Sequence, residues 1–225
     1  MCIRDSSNRH LAETGEGVGD VQVSRFLLGS ALPDFATMGR FRMTDRPEDP
    51  SVGAGVSFHH RTDQAFHSHP WFRGNSKAVS ATLEEAGVNR GAAMACGHVG
   101  VELLLDGLLL DTEPTLRGLV EQAVGQLNDE SLALADAVAS ERRDEWSAHL
   151  DSIARWSLPR DYRSPAAVAG RLHRILAPRR RLALGSEDVR IVTEVLTARQ
   201  QDIESETGQL LDDLAADLAD PKPAD

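Results

Sequence analysis

Strict alternation of apolar and polar residues hardly occurs in this chain, whereas Ala, Leu, Arg and Glu recur at spacings of three and four through its second half. Residues spaced that way share one face of a helix and would point to both faces of a strand, so the pattern confines the chain to helices. The expected fold is all-α, a single-domain helical bundle of about six to eight helices over residues 7–219. With 225 residues, 41% of them hydrophobic, the chain can bury one sizeable core.

Proline and glycine punctuate the helical pattern. A first helix is expected at Val21–Leu32, ended by Pro33, and Gly39–Gly53, with Pro47 and Pro50, reads as a loop. A second runs from Gly55 to His69 and is closed by Pro70; a short one covers Ser76–Glu85. A long, mostly apolar helix at Gly91–Asp111 stops near Pro114, and further helices are expected at Leu116–Ala139, Arg143–Ser157, Pro165–Leu176 and Glu187–Leu218. GEGVGD, Gly15–Asp20, lacks a preceding strand and reads as a flexible loop rather than a dinucleotide fingerprint. The tail Asp220–Asp225 is expected to fray. Met1–Ser6, MCIRDS, resembles translated sequencing-adaptor read-through and is expected to be non-native, with the true start lost.

Charge narrows the partners. With 24 basic and 35 acidic side chains the formal charge is −11, which argues against a generic polyanion binder. Cys2 and Cys96 cannot build a disulfide framework, and neither a secretory signal pattern nor an uninterrupted apolar stretch long enough to span a bilayer is evident. The expectation is a soluble cytoplasmic protein with neither nucleic-acid nor membrane partners. Against the acidic background, eight arginines between Arg155 and Arg181 face the single acid Asp161. They either pair with acidic helices nearby or offer a docking surface, because the planar guanidinium engages carboxylates and phosphates bidentately.

The histidines are the most informative feature. Five of the eight, His59, His60, His67, His69 and His98, fall within one stretch of forty residues. On a helix, His59, Asp63 and His67 are four residues apart and share a face, which lets imidazole and carboxylate reach one cation. In the apolar segment Ala93–Asp111, His98, Glu102 and Asp106 recur every four residues. Such a stripe is either a narrow solvent face or a set of donors that needs a partner, since a carboxylate inside a core is costly unless neutralised. A third segment, Phe26–Phe35, adds Asp34, after Pro33, as a candidate donor. His149 and His173 read as surface or satisfied core residues. A nucleophilic triad is not expected, because Cys96 sits in an apolar helix and no serine carries an elbow motif.

Several of these residues occur in short motifs. LLGSALPDF, GVSFHHRTDQAFHSHP (Gly55–Pro70, with matches at Gly55, His59, Asp63, His69 and Pro70), the HLA at His10, Tyr162 and the RRRL of Arg179–Leu182 occur in one order along the chain. In this the chain resembles the acyl carrier protein phosphodiesterases, distant relatives of the metal-dependent HD phosphohydrolases. It departs from them where they carry an aspartate followed four residues later by an Asp-His pair: here stand His98, then Glu102 and Leu103. His67 likewise replaces an aspartate, so donors are exchanged rather than lost.

The resemblance implies a metal-dependent phosphodiester hydrolase that releases 4′-phosphopantetheine from holo acyl carrier protein. The expected ligands are Asp34, His59, Asp63, His98 and Glu102, with His69 or His60 as general acid. The ion is expected to be divalent, Mn or Mg first, with Fe or Zn as alternatives. An acidic carrier protein would land on Arg171, Arg179 and Arg180. Two other functions stay open: a phosphohydrolase of a nucleotide or other small phosphoester using the same ligands, and a non-catalytic helical binding module, to which the missing doublet histidine points.

Overall fold

The structure, a computed structural model, describes residues 18–43, 47–129, 134–155 and 161–219. The segment before Val18, including Met1–Ser6, His10 and Gly15–Gly17, lies outside the described residues, as do Arg160 and the tail from Asp220. The protein is all-α. Its helices are α1 (Val18–Met38), α2 (Pro50–Ser68), α3 (Pro70–Glu85), α4 (Arg90–Thr112), α5 (Pro114–Gly125), α6 (Arg143–Ala154), α7 (Pro165–Leu176) and α8 (Ser186–Ala219). Two 3₁₀ turns, Leu134–Ala137 and Ser140–Arg142, precede α6.

Two compact units form. The first takes the described residues up to Gln64 and those of Pro114–Leu158; the second takes Ala65–Glu113 and the described residues from Asp161 onward. In the first, α1 and α2 cross at glycines: a Cβ on Gly29 would stand 2.0 Å from the Val52 carbonyl oxygen, and one on Gly55 2.1 Å from that of Phe26. Only a residue without a side chain permits so close an approach. The core gathers Leu28, Leu32, Val52, Leu150 and Ile153 around the fully buried Trp146. The indole Nε1–H of Trp146 donates to the Leu134 carbonyl at 2.8 Å, so its polar atom is satisfied inside the core.

In the second unit α4 is the central element, packed against α3, α7 and α8. Gly97 lets α3 approach, since a Cβ there would meet the Ser80 hydroxyl at 2.2 Å. Gly107 receives the backbone of Tyr162 and Arg163 in the same way. By length and composition α4 could cross a membrane, with an 18-residue window of mean hydropathy 1.5. Over half of that window, 56%, is buried within the protein, which accounts for its apolar character.

Several expected boundaries need correction. Pro33 does not end α1, which runs on to Met38. An internal proline costs about 3 kcal/mol, but Leu27, Leu28, Ala31, Leu32, Phe35 and Ala36 on both sides of it are buried, and that burial holds the helix together. Asp34 therefore lies inside a helix rather than at its end.

α2 begins at Pro50 rather than Gly55, because Asp49 caps it: Oδ1 accepts from the backbone N–H of Ser51 at 2.9 Å and of Val52 at 3.0 Å. Pro70 opens α3 as well as closing α2, so α3 is longer than the Ser76–Glu85 expectation. The helix expected over Leu116–Ala139 stops at Gly125, where the chain turns and drives Leu127 into the core.

Candidate metal centre

The last turn of α2 carries His67, and His98 and Glu102 are one turn apart on α4; all three belong to the second unit. Nε2 of His98 lies 3.2 Å from Glu102 Oε1, and Nε2 of His67 lies 3.5 Å from the same oxygen. One donor atom from each residue lies within 4.8 Å of the other two. Bonds of about 2.0–2.2 Å to a shared first-row ion place neighbouring donors roughly 3 Å apart. The spacing fits, and the group could hold a metal ion.

Aromatic packing sets the orientation of both rings. The imidazoles of His67 and His98 are stacked, with centroids 4.9 Å apart and planes 8° from parallel. Phe72, on the first turn of α3 and buried, stands edge-on to both, at 4.8 Å from His67 and 5.0 Å from His98. Phe66 packs on Phe72 in turn, centroids 4.5 Å apart. A donor ring held by a buried neighbour loses little freedom on binding an ion. Glu102 is 22% exposed, His67 31% and His98 49%, so the group opens to solvent on the His98 side.

Of the five ligands expected from the sequence, His98 and Glu102 are in this group, and His67 is its third member. Asp34, His59 and Asp63 belong to the first unit. Asp34 is half-buried on α1 and Asp63 is exposed on α2. The His59 Nδ1–H donates to the Ser30 carbonyl at 2.9 Å, which leaves Nε2 as the ring's acceptor. His60 is exposed, its ring edge-on to that of His59 at 5.4 Å.

His69 caps α3. Its Nδ1 accepts from the Trp71 backbone N–H at 3.2 Å, and its Nε2 faces Asp213 Oδ2 at 3.6 Å. Nδ1 is therefore committed to the helix cap, and the Asp213 carboxylate faces Nε2. His149 and His173 are satisfied as expected: each donates to a backbone carbonyl, of Phe35 at 2.8 Å and of Leu184 at 3.1 Å. Cys96 is buried two residues before His98, and burial, with Asp188 adding to it, pushes its thiol up to about 12. A thiol so protonated is neither nucleophile nor ligand near neutral pH.

The arginine segment divides. Arg163 ties α4 to α8 through Asp111, at 2.6 Å, and Glu204. Arg171 is half-buried on α7. Arg174, Arg179, Arg180 and Arg181 are exposed and form no ion pair among the described residues.

The sequence reading missed Phe72, whose only trace is an aromatic residue two places after the His69-Pro70 pair. It placed His67 on a shared face with His59 and Asp63 but not among the ligands, since four-residue spacing carries no information on which helix lies opposite. Compared with known proteins, the chain matches no family profile, no curated protein and no solved structure.

Proposed function

We propose that this chain is a metal-dependent phosphodiester hydrolase, similar to the acyl carrier protein phosphodiesterases, with its ion held by His67, His98 and Glu102. The observation that carries the reading is the convergence of two stacked imidazoles on one carboxylate oxygen, at 3.2 and 3.5 Å. Two nitrogen donors in three favour Zn, Fe or Mn over Mg, which prefers oxygen. When bound, a divalent ion lowers the pKa of a water and offsets charge on a phosphoryl group.

The residues of the chain have their own tasks. Phe72 keeps both imidazoles aimed at Glu102, and three protein donors leave room for water and substrate. The exposed side of His98 is where a phosphodiester would enter. By the resemblance the substrate is holo acyl carrier protein and the location cytoplasmic.

Elemental analysis of the purified protein and hydrolysis assays test this together. Metal near one equivalent and release of phosphopantetheine from holo acyl carrier protein, both absent in Glu102→Gln, are the expected result. Turnover of bis(p-nitrophenyl) phosphate without turnover of the carrier would replace the protein substrate by a small phosphoester. Metal-free protein inactive on both, with and without added Zn²⁺, Fe²⁺ or Mn²⁺, would overturn the reading.

A further inference from the structure

Most of α4 is spent on the core, with eleven of its residues buried. Met94 is the departure: at 55% it is the most exposed large hydrophobic side chain among the described residues. A thioether left in water is open to peroxides, and what stands beside it decides how it reacts.

Beside Met94 stands the metal group. Met94, His98 and Glu102 are spaced four apart, so they share one face of α4. Side chains one turn apart have Cβ atoms about 5–6 Å from each other. Each also leans toward the helix N-terminus, which sets the His98 ring over the turn that carries Met94. His98 is 49% exposed, so the thioether lies on the side where the group opens to solvent. The other sulfur of α4, Cys96, is buried and its thiol pushed up to about 12, so it does not compete.

Met38 supplies the comparison. It closes α1 in the first unit and is 46% exposed, close to Met94. Among the described residues the one three-donor group is that of His67, His98 and Glu102 in the second unit, so Met38 shares the exposure of Met94 without its neighbours.

From this we infer that Met94 is a modification site, oxidised to the sulfoxide by hydrogen peroxide at a redox-active divalent ion on His67, His98 and Glu102. The site rests on the metal group of the proposed function and not on its phosphodiester. A sulfur lone pair attacks one peroxide oxygen, and the S–O bond forms as the O–O bond breaks. The other oxygen departs as hydroxide, takes the proton left on the transferred oxygen and becomes water. Sulfur loses two electrons and the peroxide gains them, so the ion ends in the state in which it began. Its positive charge draws the peroxide in and offsets the hydroxide as it departs. The product puts a polar oxygen on the side where a phosphodiester would enter, and methionine sulfoxide reductases return it to the thioether.

The test reads the modified residue itself. The full chain, with and without one equivalent of Fe²⁺, is treated with limiting hydrogen peroxide and a hydroxyl-radical scavenger, quenched with catalase, and each methionine is followed by peptide mass spectrometry. Without iron, Met94 and Met38 should oxidise within about threefold of each other, as their similar exposure dictates; with iron the Met94 to Met38 ratio should rise at least about tenfold. Glu102→Gln should remove the rise. Chelation of the wild-type chain should do the same without any substitution, and so should displacement of the iron by redox-inert Zn²⁺.

An unchanged ratio in the iron-treated chain overturns the proposal, and so does a rise that survives both Glu102→Gln and chelation. Selective oxidation of Met94 in a chain that hydrolyses neither the carrier nor the small diester removes the hydrolytic reading alone. Metal-dependent hydrolysis with Met94 oxidised no faster than Met38 removes only the modification site, and a chain that binds no metal removes both.

Discussion

His149 in the first unit and His98 in the second each sit on a helix with an aromatic ring against the imidazole, yet they meet opposite chemistry. His149 packs against Phe41 and Trp146 and donates to the Phe35 carbonyl. His98 packs against Phe72, stacks on His67 and faces the carboxylate of Glu102. A carbonyl accepts one hydrogen bond from a neutral ring and turns the histidine into a structural tie. A carboxylate shared by two imidazoles gathers three donors at one point, which is what an external ion requires. His59 and His173 follow His149 in donating to a carbonyl. What separates the two kinds is the partner supplied by the fold, not the number of histidines in the sequence.

The sharpest way to break this comparison is to remove the carboxylate. Glu102→Gln and His98→Ala should each lower metal affinity by at least about a hundredfold, read by elemental analysis and by competition with a chromophoric chelator. His149→Ala and His173→Ala should retain the wild-type metal content. A Glu102→Gln protein that kept its metal would place both kinds of histidine in one class.

Stability should show the reverse order. His149→Ala opens a space beside Trp146 and leaves the Phe35 carbonyl without its donor, and should cost about 2–3 kcal/mol in urea unfolding. His98→Ala, half-exposed, should stay within about 0.5 kcal/mol when the metal has been chelated. A large loss in the chelated His98 variant would make that residue a structural tie after all.

Cys96 supplies the smallest effect and the finest distinction, because it precedes His98 by two residues on the same helix yet belongs to the core. Its Ala variant should bind metal as the wild type does. With the thiol pushed from 9.0 to about 12 by burial, iodoacetamide at pH 8.5 should label Cys96, resolved from Cys2 by peptide mass spectrometry, far more slowly in the native protein than in the urea-unfolded chain. Because the folded value is the higher one, this thiol's contribution to stability is complete below about pH 9 and fades as the pH rises toward 12. Rapid labelling of Cys96 in the native protein would mean that α4 opens near the metal group.

Some of this was readable before any coordinates. The period of three and four placed Pro165–Leu176 at its actual bounds and the last helix within one residue at each end, because Pro165 stands at the first helical position and neither stretch has a proline inside it. Pro33 misled because a local cost of a few kcal/mol was outweighed by core contacts contributed from far along the chain. Leu116–Ala139 misled in the opposite direction: its apolar spacing continues past Gly125, but the turn there serves the packing of Leu127. At the site, His98 and Glu102 were legible as an i, i+4 pair. The third donor was not, since nothing local to α2 says which of its histidines approaches α4.

The sequence by itself determined the helical character, the excess of acid, the local run of arginines and the residues with donor atoms, because each depends on composition or on spacing within one helix. Tertiary structure alone decided which donors meet, which histidines are spent on carbonyls and which arginines enter ion pairs. The physical reason is that helix period is a local property, whereas a metal site needs atoms from two helices within a few ångströms. Here the buried ring of Phe72 packs against both His67 and His98.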